Sequence, residues 1–325
     1  MIEILSAGAL NTVQDLGRYG HRKIGVSVAG AMDKLALTVG NLLLGNPANS
    51  AGIEITMFPF RVRFDKDTRI VVSGADCVAK LDGKTVLPWW TIPVRSGQEL
   101  TLGMPRHGSR AYLTLKSGID VPISLNSRST DLKGGFGGHE GRALKKGDRL
   151  ALLTAGTSEL PANVVYGVEP PHIAMPRLSG VKGTVAVRVL PAGEYEKFRK
   201  SGQALFWNSN WKITSNSNRQ GYRLAGPACP TEGQSELLSH GLVPGTIQVP
   251  PSGQPIIQLS DANASGGYPK IGTVIDVDLW RVAQARLGDS LKFIEVTLED
   301  AVSALAAERA WLQKIKAGVA SMTHD

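Results

Sequence analysis

Leu100–Leu115 reads LTLGMPRHGSRAYLTL, and Thr246–Leu259 reads TIQVPPSGQPIIQL. Each is a run of branched residues, a proline, a turn with glycine, and a second branched run. That is the pattern of strand, turn and strand. Pro105 and Gly108 correspond to Pro250 and Gly253 at one common offset. Each unit continues through a glycine-rich loop to a closing GDxLx strand, GDRLAL at Gly147–Leu152 and GDSLKF at Gly288–Phe293. The repeat predicts a mainly β chain of two related antiparallel barrels.

Around this pair the strand signals are short and numerous, from Ile2–Leu5 to Leu291–Val296. The helices are few. Asp33 is placed to cap Lys34–Leu44, with Gly45 past its end. Asp278 is placed to cap Leu279–Arg286. Thr297 opens the longest helix, with Asp300 completing a capping box. The Pro-rich, strand-poor stretch Glu169–Gly183 is the expected linker. It divides an N-terminal domain, residues 1–180, from a C-terminal domain, residues 181–325, that ends in a helix.

The 325 residues are too many for one ordinary core, which agrees with two domains. The net charge of +8 is scattered, with no basic run interleaved with aromatics, so nucleic acid is not an expected partner. Two cysteines, Cys77 and Cys229, exclude a disulfide framework. No apolar stretch approaches the roughly 20 residues of a membrane helix. MIEILSAGAL starts as a strand without a basic leader, so the cytoplasm is the expected compartment and no membrane partner is expected.

Four polar loops are the places where chemistry is expected. Ser215–Leu224, SNSNRQGYRL, concentrates Asn216, Asn218, Arg219 and Arg223 around a flexible glycine, a donor set suited to an anionic ligand. Ser127–Arg142, SRSTDLKGGFGGHEGR, offers Ser127, Arg128, Ser129 and Thr130, then the amides of Gly134 and Gly135 as a nest, then Arg142. Its Asp131 is suited to a cation or a proton. NTVQDLGRYGHRKIG places Asp15 and Arg18 either on a ligand or on each other. DANASGGYP puts Asp261 at a strand end before Gly266 and Gly267, as a reactive carboxylate or as a buried turn cap. No Walker loop, GxSxG or HExxH motif is present.

Taken together, NTVQDLGRYGHRKIGVSVAGAMD, SGID, SRSTDLKGGFGGHEGR, SNSNRQGYRL, GTIQVPPSGQPI and SGGYPKIGTVIDVDL resemble the biotin-dependent carboxyltransferase family, also called the allophanate hydrolase subunit 2 family. The resemblance runs from about Met1 to Phe293. STDLKGGFGGHEGR and ELLSHGLVPG are most similar to the branch that supplies the C subunit of 5-oxoprolinase. Gln220 stands where the family usually has methionine, and Asn126 where it has glycine.

The resemblance implies two cyclophilin-like barrels and a heteromeric complex with the B and A subunits of 5-oxoprolinase. With the B subunit the chain would activate a lactam, 5-oxo-L-proline, by ATP-dependent phosphorylation. The A subunit would then open the ring to L-glutamate. ATP and a divalent cation, Mg²⁺, are implied for the complex, with this chain inactive alone. No biotinyl-lysine motif is present, so no covalent biotin is expected. The resemblance carries Tyr222, Gln248 and Tyr268 into the binding set, with Asp15, Asp131 and Asp261 as the reacting carboxylates. Two other branches imply different work: a carboxyltransferase or amidolyase acting on urea-like amides, or a non-enzymatic regulator of a kinase-inhibitor partner.

Overall fold

The structure, a computed structural model, describes residues 1–154, 164–175, 178, 184–231 and 237–322. Much of the expected linker, and Glu236 of the ELLSHG stretch, lie outside the described residues. The chain divides into two compact units. The first comprises Met1–Arg18, Ala29–Pro176 and Arg309–Asp325; the second comprises Tyr19–Val28 and Arg177–Glu308.

The first unit is built on two sheets. A seven-stranded sheet runs Ile119–Asp120, Arg149–Leu152, Ile2–Ser6, Phe60–Phe64, Glu99–Leu102, Lys80–Leu81, Lys84–Thr85. A five-stranded sheet runs Thr12–Gln14, Gly52–Ile55, His107–Leu115, Thr68–Asp76, Thr91–Val94. In FRVRF, Phe60, Val62 and Phe64 turn inward and Arg61 and Arg63 outward, the period-two alternation of a half-buried strand. The inward faces of both sheets, among them Ile2, Val62, Leu100, Ile53, Val72 and Leu113, share one core.

The second unit closes. Its barrel runs Thr184–Pro191, Lys270–Val274, Thr246–Gln248, Ile256–Gln258, Gly221–Ala225, Asn210–Ile213, Ser290–Glu295 and back to the first strand. The closing pair is parallel, with Thr184 opposite Ser290 and Val189 opposite Glu295. Closure removes the exposed edges that an open sheet would present. A separate two-stranded ribbon pairs His240–Gly241 with Ser265–Gly266. Inside, Phe206 stacks on Phe293 with ring centroids 4.7 Å apart.

The mainly β class, the few helices and the C-terminal helix match the sequence reading. The barrel is complete in the second unit; in the first unit the strands form two sheets. The repeat that suggests tandem barrels is also uneven. Thr246–Gln248 and Ile256–Gln258 pair as a hairpin. Glu99–Leu102 and His107–Leu115 go to different sheets, because the turn between them carries the chain from one sheet to the other. The echo survives in backbone conformation: Gly108 and Gly253 have φ of 77° and 75°, and Gly147 and Gly288 have 90° and 93°.

Two of the three helix caps form where the sequence places them. The Ala36 amide donates to Asp33 Oδ1 at 2.8 Å, capping Lys34–Leu43. The Thr297 amide donates to Asp300 Oδ2 at 2.9 Å, and the Asp300 amide returns to Thr297 Oγ1 at 3.1 Å, closing a capping box on Leu298–Ser321. Asp278 stands at the N-cap position of Leu279–Gln284, but its side chain makes no capping bond. Its fully buried carboxylate accepts from the Arg188 amide at 2.8 Å and from Arg188 Nε at 2.9 Å, tying the following helix to the first barrel strand. Among the described residues no helix is long and apolar enough to cross a membrane.

Candidate functional site

In the first unit the loop after Thr12–Gln14 meets the Ser127–Thr130 turn, and Asp15 organises the meeting. Asp15 Oδ1 accepts from Ser127 Oγ at 2.7 Å, from the Gly17 amide at 2.8 Å and from Ser129 Oγ. Asp15 Oδ2 accepts from the Arg128 amide at 2.6 Å. The Thr130 amide and Oγ1 both donate to the Val13 carbonyl, at 3.0 and 2.9 Å. Gln14 Nε2 donates to the Thr130 carbonyl at 3.2 Å. Arg18, fully buried, donates to the Ser129 carbonyl and lies 4.6 Å from the Phe136 ring centroid.

This geometry corrects several expectations. The hydroxyls of Ser127, Ser129 and Thr130 are turned into the protein, so they build the turn and do not cradle an anion. Asp15 accepts four hydrogen bonds, which makes it the turn's anchor and not an open base. The nest does not form at Gly134 and Gly135. The Gly134 amide donates to Asp131 Oδ1 at 2.8 Å and the Gly135 amide to the Asp131 carbonyl at 2.8 Å. Asp131 therefore closes its own turn.

Arg142 is likewise committed. It donates to Asp148 Oδ2 at 2.7 Å and Oδ1 at 2.9 Å, and to Glu140 Oε2 at 2.6 Å. These bonds hold its guanidinium charged well above the ordinary range, against a smaller opposing effect of burial. Arg128 is placed differently. Its amide is fixed by Asp15, while its side chain reaches the exposed Asp120 only at 3.6 Å, and its shielded Nε has no hydrogen-bond partner. A rigid backbone thus presents a loosely held guanidinium, the arrangement suited to a transferable anionic partner.

In the second unit Arg219 and Asp261 join. Arg219 Nε donates to Asp261 Oδ2 at 2.8 Å and Nη2 to Oδ1 at 2.9 Å, and the Asp261 amide donates to the Arg219 carbonyl at 3.0 Å. Both residues are buried. Neither the cation nor the carboxylate therefore stands open: the Asp261 carboxylate is held by Arg219. Tyr222 lies in the barrel interior. Asn216, Asn218 and Arg223 are exposed, and Asn218 Oδ1 accepts from the Gln220 amide at 2.8 Å.

Gln248 is an internal strut. Its Nε2 donates to the Tyr268 carbonyl at 3.0 Å, and its Oε1 accepts from Gln258 Nε2 at 3.1 Å. Tyr268 itself is exposed. Gly266 and Gly267 are demanded by close protein neighbours: a Cβ would lie 2.9 Å from Leu242 Cδ1 at Gly266 and 2.6 Å from the Leu237 carbonyl at Gly267.

Two features had little local signal. Arg22, from the Tyr19–Val28 segment of the second unit, donates to the Ala264 carbonyl at 3.3 Å. Glu54, fully buried in the first unit, accepts from the Met32 amide and the Tyr112 hydroxyl, each at 2.8 Å. Among the described residues no group of three or more His, Cys, Asp or Glu is arranged to hold a metal. Burial pushes both cysteine thiols up to about 12, which disfavours the thiolate.

A family model described as carboxyltransferase domain, subdomain A and B, matches residues 24–295. The C subunit of 5-oxoprolinase from Escherichia coli (strain K12) is 43% identical over 315 residues, covering 97% of this chain and 97% of that protein. The C subunit of 5-oxoprolinase from Haemophilus influenzae is 41% identical, covering 97% of this chain and 98% of that one. The crystal structure of the K. lactis urea amidolyase superposes with a TM-score of 0.86 at 30% identity, covering 97% of this chain and 20% of that chain.

Proposed function

The chain belongs to the family of carboxyltransferase domains, subdomain A and B, and on that premise we propose that it is the C subunit of an ATP-dependent 5-oxoprolinase, inactive alone and working with the B and A subunits. The observation that carries this reading is the end-to-end match, 43% identical, to a protein of that name.

The chemistry needs such an assembly. A lactam carbonyl carbon is a poor electrophile. Transfer of the γ-phosphoryl group of ATP to the lactam oxygen releases ADP and leaves an activated carbon. Water then adds at that carbon, the C–N bond breaks, phosphate departs, and the open product is L-glutamate. Stabilising charge on the transferred group requires preorganised cations. Arg128 is the residue of this chain best placed for that role, because Asp15 fixes its backbone and its guanidinium is only loosely engaged.

A nucleotide's Mg²⁺ takes oxygen ligands, commonly one or two carboxylates beside the phosphates. Asp15 and Asp261 do not fit it, since their oxygens are occupied by Ser127, Ser129, Gly17 and Arg128 and by Arg219. The cation is therefore assigned to the complex, and Asp15 and Asp261 have no part in holding it.

The test is co-purification with the B and A subunits followed by an assay of 5-oxoproline-dependent ATP hydrolysis. Turnover is expected only from the complete complex. Turnover by the isolated chain would refute its dependence on partners, and a complex inert towards 5-oxoproline would refute the substrate. A second reading, a carboxyltransferase component acting on urea-like amides, is favoured by the superposition on urea amidolyase. It predicts turnover with urea and a biotin-carrying partner in place of 5-oxoproline.

A further inference from the structure

Three ionisable side chains outside the loops already described converge in the second unit. Glu194 follows the barrel strand Thr184–Pro191, His240 lies on the two-stranded ribbon, and Lys270 opens the strand Lys270–Val274. Glu194 Oε1 is 3.8 Å from His240 Nε2 and 3.5 Å from Lys270 Nζ. All three side chains are largely buried, between 19% and 28% exposed.

The hydrogen-bond count at this cluster is incomplete. His240 Nδ1 lies 2.9 Å from the Leu238 carbonyl. A carbonyl only accepts, so Nδ1 carries the hydrogen and Nε2 is the ring atom turned towards the carboxylate. At 3.8 Å that approach is beyond a hydrogen bond. His240 Nε2 and Glu194 Oε2 are both shielded from solvent and have no hydrogen-bond partner. Shielded polar atoms are normally satisfied, and two orphans on facing side chains mark a place that a polar ligand completes. Lys270 adds a cation at the same place.

From this arrangement we infer that Glu194, His240 and Lys270 form a binding site for a small amide bearing an anionic group. The orphaned Glu194 oxygen, with His240 Nε2 as the neighbouring acceptor, takes the amide N–H, and Lys270 receives the anion. The inference rests on the 5-oxoprolinase reading only for the identity of the ligand. 5-Oxo-L-proline presents a ring N–H beside a carboxylate, matching the acceptors and the Lys270 cation within one small molecule.

The experiment uses the full chain and the reconstituted complex. Histidine ring resonances are followed by NMR while the chain is titrated with 5-oxo-L-proline, with L-proline, which lacks the lactam, as the control. His240→Asn keeps the Nδ1-side donor and removes Nε2; Glu194→Gln and Lys270→Gln test the other two groups. The His240 signal is expected to move saturably with 5-oxoproline and not with L-proline. Each variant is expected to melt like wild type, to weaken binding at least tenfold, and to raise KM for 5-oxoproline in the complex with a smaller change in kcat. Wild-type binding and KM in all three variants, beside an active wild-type complex, would overturn the site and leave the proposed function standing. A wild-type complex inert with 5-oxoproline would overturn that function and the ligand assigned here together.

Discussion

Arg219 and Asp261 hold each other through two hydrogen bonds, Nε to Oδ2 at 2.8 Å and Nη2 to Oδ1 at 2.9 Å, in a buried position of the second unit. The pair locks the SNSNRQGYRL hairpin to the strand end before DANASGGYP. The residue richest in apparent binding potential is thus engaged within the protein. Breaking a buried pair by removing one partner strands the other charge, at a cost of about 3–5 kcal/mol. Arg219→Ala is therefore expected to shift the urea unfolding midpoint strongly. Replacing both residues with apolar side chains is expected to cost less than the single change. A single variant as stable as wild type would refute the structural role.

Asp15 and Arg128 divide the work in the first unit. Asp15→Asn exchanges an oxygen acceptor for a donor beside Ser127 Oγ, Ser129 Oγ and two amides, so the turn should lose both order and stability. Arg128→Ala leaves the turn's backbone bonds in place and removes the loosely held guanidinium. It is expected to melt like wild type and to lower ATP turnover of the complex by roughly 10²-fold, the scale of one removed charge-stabilising donor. Parallel thermal melts and turnover assays separate the two. Full activity in Arg128→Ala would remove it from the proposed site.

What the sequence makes legible is what local chemistry decides. The Asp33 cap and the Thr297–Asp300 box lie within one helical turn, and both form. Strand existence follows from branched alternation, as in FRVRF. The functional loops are legible as concentrations of polar residues, but not as geometry. Ser127 meets Asp15, far away in sequence, only once the sheets fix which loops face each other. A run of donors looks the same in sequence whether it waits for a ligand or satisfies a distant carboxylate. The split of Leu100–Leu115 between two sheets is hidden for a similar reason: a strand's partner is a long-range choice.

Acid should loosen the first unit through Asp148. Burial alone would raise this carboxyl, but the hydrogen bonds from Arg142 and the Lys145 amide outweigh it and hold it below the usual carboxylate range. A group lowered on folding contributes its stability above the unfolded value, about 4 for aspartate, and loses it as pH falls through the folded value. Denaturation midpoints at pH 7, 5 and 3 are expected to fall chiefly in the last interval. Arg142→Ala, which leaves the carboxylate short of donors, is expected to cost about 1–3 kcal/mol at pH 7 and to flatten the acid dependence. A midpoint indifferent to Arg142 at every pH would rule the pair out as a stabilising element.

The two glycines Gly135 and Gly138 give a sharper test of the turn, because they share a backbone conformation and differ in surroundings. Both have left-handed φ, 66° and 55°. A Cβ at Gly135 meets nothing within 4 Å, whereas at Gly138 it would lie 1.9 Å from Thr130 Oγ1. That hydroxyl is itself bonded to the Val13 carbonyl at 2.9 Å and cannot swing away without losing the tie to the sheet. Gly135→Ala should cost only the left-handed penalty of about 1–2 kcal/mol. Gly138→Ala should add the overpacking cost, about 1–3 kcal/mol more, and should disturb activity of the complex by displacing the Ser127–Thr130 turn. Thermal melts of the two variants side by side decide it, and equal losses would mean that Thr130 does not pin the glycine-rich loop.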